Sequence, residues 1–132
     1  MYKFNAKTAM AAILSLSSTA VVDLPALADS PEGHGKAFSG HAHWYGHPFH
    51  GRRTASGRIF DMHKLTAAHP SLPFGTKVKV IHKRTGKSCV VEITDRCPRL
   101  SQRVIDLSKG AFDEIGATGG IAAVDCIVMA RE

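Results

Sequence analysis

The chain has 132 residues, 44% of them apolar, which suits one folded unit and excludes a second core of independent size. A formal charge of +6 at pH 7 permits nucleic acid as a partner but fits anionic wall polymers or membrane surfaces equally well, so charge alone assigns no function. No phosphate loop or dinucleotide fingerprint occurs, so no nucleotide or other cofactor is expected.

Residues 1–28 read as an export signal. Lys3 and Lys7 precede an apolar stretch from Ala9 to Val22, and Ala26-Leu27-Ala28 offers small residues ahead of a cleavage site. That stretch is short for a membrane span, is diluted by Ser15, Ser17, Ser18 and Thr19, and runs into Asp23 and Pro25. The mature protein is therefore expected to begin at Asp29, soluble in the periplasm or secreted, and still basic. No cysteine precedes Cys89, so no lipid anchor is expected. Residues 29–41 are rich in Gly and polar side chains without periodicity and read as a flexible lead-in, which leaves 42–132 for the fold.

Trp44 and Tyr45 fit a first short strand, residues 51–57 read as a loop, and Asp61 to Leu65 permits a single helical turn. From Thr76 to His82, Val78 and Val80 alternate with Lys77 and Lys79, the two-residue period of a half-buried strand. Arg84-Thr85-Gly86 supplies a turn, and Ser88 to Thr94 continues with Cys89, Val91 and Ile93 on one face, which predicts a β-hairpin. Asp106 or Ser108 can cap a short helix from Lys109 to Ile115 that stops at Gly116. Ile121 to Met129 closes the chain as a strand with Val124, Cys126 and Val128 on one side. Short strands joined by Gly and Pro turns predict a mainly β fold, a small closed barrel, because closure removes exposed strand edges.

Three cysteines in a chain bound for an oxidising compartment predict one disulfide that includes Cys126, with Cys89 or Cys97 as partner, and one leftover thiol. No Cys-x-x-Cys pair favours zinc. Histidines are dense at His34, His41, His43, His47 and His50, yet their spacing matches no zinc pattern, and they read as solvated loop residues rather than a metal site.

Several blocks recur in an order that closely resembles the rare lipoprotein A family. They are Trp44-Tyr45-Gly46, Gly51-Arg-x-Thr54-Ala-Ser56-Gly57, Phe60-Asp61-Met62, Leu65-Thr-Ala-Ala-His69, Leu72-Pro-Phe-Gly75-Thr76, Asp95-Arg96-x-Pro98 and Arg103-Val-Ile-Asp106-Leu-Ser108. The resemblance covers residues 42 to about 130. It implies a six-stranded double-psi β-barrel, the fold of barwin-like proteins, expansins and family-45 glycoside hydrolases, with a polysaccharide groove across one face. It also implies an enzyme, a lytic transglycosylase that cuts the β-1,4 bond after N-acetylmuramic acid and leaves a 1,6-anhydro end, preferring glycan strands stripped of peptide. The expected partner is the peptidoglycan glycan strand, with no nucleic acid, and the protein is expected to be a monomer.

A hydrolase needs two carboxylates, but a transglycosylase replaces water by the sugar's own 6-hydroxyl, so one carboxyl that first donates and then removes a proton suffices. The family's active site maps onto Asp61 in that role and onto His69, which could bond Asp61 or the substrate and tune the donor. Trp44, Tyr45, Thr54, Ser56, Arg58, Asp95 and Arg96 are the expected substrate-binding residues, whereas Asp106 reads better as a helix cap. One departure stands out: where the family commonly carries Glu three residues before the Asp, this chain has Arg58. Arginine cannot act as a base, although its planar fork could meet a lactyl or peptide carboxylate. The chain also lacks the C-terminal glycan-binding repeat of some relatives, so it reads as the bare barrel. Against the enzyme stands a non-catalytic, expansin-like module that binds or loosens the wall.

Overall fold

The computed structural model describes residues 35–131, so the expected export signal, the start of the lead-in and His34 lie outside the described residues. Six strands and one helix follow in the order β1 (Ala37–Tyr45), β2 (Thr66–Ala68), β3 (Thr76–His82), β4 (Ser88–Asp95), β5 (Arg103–Ser108), α1 (Lys109–Glu114) and β6 (Ala122–Arg131). The strands close into a barrel in the spatial order β1-β5-β2-β4-β3-β6, in which β1–β5 and β2–β4 are parallel pairs and the rest are antiparallel. Among the described residues no helix is long and apolar enough to cross a membrane.

The alternation read in the sequence sets the barrel interior. Val78 and Val80 of β3, Val91 and Ile93 of β4, and Val124 and Cys126 of β6 are all fully buried, while Lys79 and Val90 face out. Ile105 and Leu107 of β5 join them, and Phe112 and Ile115 close one end. Truncating a buried aromatic such as Phe112 to Ala costs about 3–5 kcal/mol, because the cavity left behind collapses only in part.

Residues 37–41, expected to belong to the lead-in, are strand. β1 starts at Ala37, and residues 37–42 pair with β6 from Ala37↔Ile127 to Ala42↔Ala122. Ser39, Gly40 and His41 are weak strand formers, and the partner strand, not local propensity, holds them extended. Gly40 is needed there, since a Cβ would lie 2.5 Å from Val104 Cγ1 and 2.8 Å from the Gln102 carbonyl. The stretch after Asp61 is a turn without helix, and α1 is capped by Ser108, whose hydroxyl accepts from the Ala111 N–H at 3.2 Å. Asp106 is therefore not the cap.

The predicted disulfide is overturned, because all three cysteines are free. Cys89 and Cys126 both face Val80, one from each side of β3, which puts them two strand spacings apart, about 9–10 Å, beyond the reach of a disulfide. Burial pushes the thiols up, to about 11 at Cys89 and Cys97 and about 12 at Cys126.

Candidate active site

Asp61 ends a long excursion between β1 and β2. The Gly51 N–H donates to the Phe60 carbonyl and the Phe60 N–H to the Arg52 carbonyl, both at 2.8 Å, which folds residues 51–60 back on themselves. Thr54 is buried at the tip, its hydroxyl donating to the Arg58 carbonyl at 2.8 Å and meeting Ser56 Oγ at 2.9 Å. Phe60 is buried and stacks on Tyr45 with ring centroids 4.3 Å apart, so the next residue, Asp61, emerges at the surface beside a rigid aromatic pair. Asp61 Oδ1 accepts the His63 N–H at 2.9 Å, an Asx turn that fixes the carboxylate, and among the described residues no hydrogen bond reaches Oδ2. The turn is fastened from below: Gly110 donates its N–H to the Met62 carbonyl at 2.8 Å, and a Cβ on Gly110 would stand 2.6 Å from the His63 carbonyl oxygen. Arg58, Asp61, Lys64, Thr66 and Thr94 share a shallow depression of about 220 Å³. On its floor Thr66 Oγ1 is buried without a hydrogen-bond partner, an arrangement that costs about 1–3 kcal/mol when left uncompensated.

A second cleft of about 200 Å³ lies across the Tyr45–Phe60 stack and is lined by Tyr45, Phe49, Asp95, Arg103 and Asp106, among others. Its floor is Ala68, which pairs with Asp95 on one side and Asp106 on the other, so a small residue between two carboxylate-bearing strands makes the space. Asp95 Oδ1 accepts the Ala55 and Arg96 N–H groups, each at 2.9 Å, and Oδ2 accepts the Tyr45 hydroxyl at 3.4 Å. Burial, with Asp95 adding to it, pushes the Tyr45 hydroxyl well above its ordinary range, so it stays protonated. Asp106 is held by the Arg103 guanidinium in a two-point ion pair, with Nε to Oδ1 at 2.6 Å.

Residues 37–126 match the protein-family model described as lytic transglycolase. The chain belongs to that family. Within it, the chain is 60% identical over 77 residues to the probable endolytic peptidoglycan transglycosylase RlpA of Synechocystis sp., covering 58% of this chain and 24% of the relative. It is 45% identical over 96 residues to the endolytic peptidoglycan transglycosylase RlpA of Helicobacter pylori, covering 72% of this chain and 31% of that one. The chain thus spans about a quarter to a third of the length of these two relatives. A Streptomyces papain inhibitor has the same fold, with a TM-score of 0.58 at 22% identity over 77% of this chain and all of that chain. The family's double-psi barrel, expected from the sequence blocks, is the architecture of the closed six-stranded barrel described above.

Against the lytic transglycolase pattern, the expected residues divide. Tyr45, Asp95 and Arg96 line the second cleft, and Arg58 shares the depression with Asp61. Thr54 and Ser56 serve the loop between the two, where they hold each other and the backbone. Trp44 points the other way: its indole N–H donates to the Gly119 carbonyl at 3.0 Å, and its ring packs on Phe112. Strand alternation was the available signal, since neighbours on one strand face opposite sides. His69 is not bonded to Asp61. Its Nδ1 accepts the Ser71 and Leu72 N–H groups, both at 3.0 Å, which leaves Nε2 to carry the proton. Burial, then the Arg99 and Arg96 charges, push its pKa down to about 4, so the ring is neutral at pH 7.

Three residues were not singled out from sequence for this site. Glu92 of β4 pairs with Arg58, Oε2 to Nη1 at 2.6 Å, so the arginine is already engaged. His50 and His63 flank Asp61: His50 Nδ1 is 3.9 Å from Oδ1 and accepts the Met62 N–H at 3.1 Å, and the two rings are 5.5 Å apart. The ligand atoms of His50, Asp61 and His63 all lie within 4.8 Å of one another, so a carboxylate does meet the histidine-rich loop in space.

Proposed function

We propose that this barrel is a peptidoglycan lytic transglycosylase that cleaves the β-1,4 bond between N-acetylmuramic acid and N-acetylglucosamine in peptide-poor glycan strands, leaving 1,6-anhydro ends. The observation that carries the reading is Asp61 itself: a carboxyl pinned through Oδ1 by the His63 N–H and lining a depression in a chain of the lytic transglycolase family. In the proposed step the protonated Asp61 gives its proton to the glycosidic oxygen as the C–O bond breaks. The resulting carboxylate then removes the proton of the muramic acid 6-hydroxyl as that oxygen closes on the anomeric carbon, so Asp61 ends as it began. A neutral His69, its Nδ1 taken by two backbone N–H groups and its proton on Nε2, is suited to donate a hydrogen bond to a sugar oxygen that reaches it and not to titrate Asp61. Tyr45, Asp95 and Arg96 offer an aromatic face and polar groups for the neighbouring sugars. We place the protein outside the cytoplasm, exported by residues 1–28 and acting as a monomer on wall glycan.

One observation favours the non-catalytic, wall-loosening reading: Arg58 closes an ion pair with Glu92 at the position where the family resemblance leads to the expectation of a Glu. Incubation with peptide-free glycan strands and mass spectrometry of the products separates the two. The enzyme releases 1,6-anhydro ends; the binding module releases nothing while still retaining glycan.

A further inference from the structure

The histidines beside Asp61 are not used by that chemistry, and their arrangement suits an ion. We propose that His50, Asp61 and His63 form a site for a divalent transition metal of the zinc class. Two imidazoles and one carboxylate are a three-ligand set of the open type, which leaves a fourth position for water or a sugar hydroxyl. Around zinc, donors at about 2.0–2.2 Å in a tetrahedron stand about 3.3–3.6 Å from one another. Here the three donors lie within 4.8 Å, with His50 Nδ1 and Asp61 Oδ1 at 3.9 Å, so the set closes by about an ångström through side-chain rotation. Both imidazoles are exposed. The carboxylate is already oriented by the His63 N–H, and the turn that carries both residues is locked against α1 through Gly110. The ion competes with the Met62 N–H for His50 Nδ1, or the ring turns over to present Nε2, and Lys64 nearby opposes a cation. These costs set an affinity below that of a buried structural site.

The consequence is inhibitory. A metal-bound carboxylate cannot carry the proton that glycan cleavage needs, so an occupied site is a silent enzyme; this half of the proposal rests on the transglycosylase reading, and the binding half does not.

The test is titration of untagged protein with Co²⁺, read by its visible absorption bands, and with Zn²⁺ by calorimetry. One ion per chain is expected, with binding weakened at least tenfold in His63→Ala and unchanged in His41→Ala. His63→Ala keeps the backbone N–H that orients Asp61, and a circular dichroism melt checks that it folds. Binding that is absent, or equal in wild type and His63→Ala, overturns the site. In the glycan assay, Zn²⁺ should abolish wild-type cleavage and spare His63→Ala, and cleavage that continues at saturating Zn²⁺ overturns the inhibitory role. A chain that binds one ion but cleaves no glycan at all keeps the site and refutes the inhibition together with the reading it rests on.

Discussion

Placing the Glu expected from the family resemblance at position 58, by Arg58→Glu alone, should fail to help, and the reason is Glu92. The Arg58–Glu92 pair is close, 2.6 Å, but the arginine is 57% exposed and the glutamate 22%. A pair that wet contributes at the upper end of the surface range, about 0.5–1 kcal/mol. Arg58→Glu loses that attraction and sets two carboxylates side by side, so its net cost is about 1 kcal/mol or somewhat more, about 4–8 °C in Tm for a domain of this size. Glu92→Arg alone should behave likewise, with two guanidiniums opposed. The double variant, Arg58→Glu with Glu92→Arg, rebuilds the pair with reversed polarity and should return close to the wild-type Tm while placing a carboxylate three residues before Asp61. Thermal melts of all four proteins form a double-mutant cycle whose coupling, the sum of the two single costs that the double variant avoids, should be about 2 kcal/mol and should shrink in high salt. If Arg58→Glu melts with wild type and the second change adds nothing, the pair has no energetic meaning and the account of position 58 is wrong. Glycan cleavage by the double variant, compared with each single one, then tells whether the carboxylate at that place assists Asp61.

His69, with its folded pKa lowered to about 4, binds fewer protons than the unfolded chain between pH 4 and 6.5. Stability from this group is complete above about pH 6.5 and is lost as pH falls toward 4, so Tm should drop over that window, and His69→Gln should flatten this part of the profile. Non-reducing mass spectrometry should find three free thiols, with only the half-buried Cys97 open to slow alkylation in the native protein and all three after unfolding; a Cys89–Cys126 bond would contradict the barrel register.

What the sequence made legible follows from period. β3, β4 and β6 alternate apolar and polar residues because one face of each meets the barrel interior and the other meets water, so the faces read from Val78, Val91 and Val124 are the buried ones. β5 gave no such signal, since its residues from Ile105 to Ser108 are buried on both sides, between the interior and the elements packed outside. β2 is three residues long, and the first half of β1 is held by pairing alone. At the site, Asp61, Tyr45 and Asp95 were visible through their blocks, but what surrounds them was not. Glu92 reaches Arg58 across 34 positions and His50 reaches Asp61 across 11, contacts that no local pattern encodes. His69, expected to bond Asp61 or the substrate, does not bond Asp61, and its Nδ1 accepts the N–H groups just after itself, a local turn that the sequence Ala-His-Pro-Ser-Leu did not disclose.

The central claim is that Asp61 moves the proton, and Asp61→Asn tests it most directly. The amide keeps the shape and one oxygen to accept the His63 N–H, so the turn and the fold should survive, while the acidic proton is gone. Wild type and variant are incubated with the same peptide-free glycan strands, and the products are resolved by mass spectrometry alongside a glycan-retention assay. The account predicts 1,6-anhydro ends from wild type, at least a hundredfold fewer from Asp61→Asn in line with the loss of a general acid, and equal glycan retention by both. Equal release of anhydro products by the two proteins would contradict it and leave Asp61 as the anchor of an Asx turn.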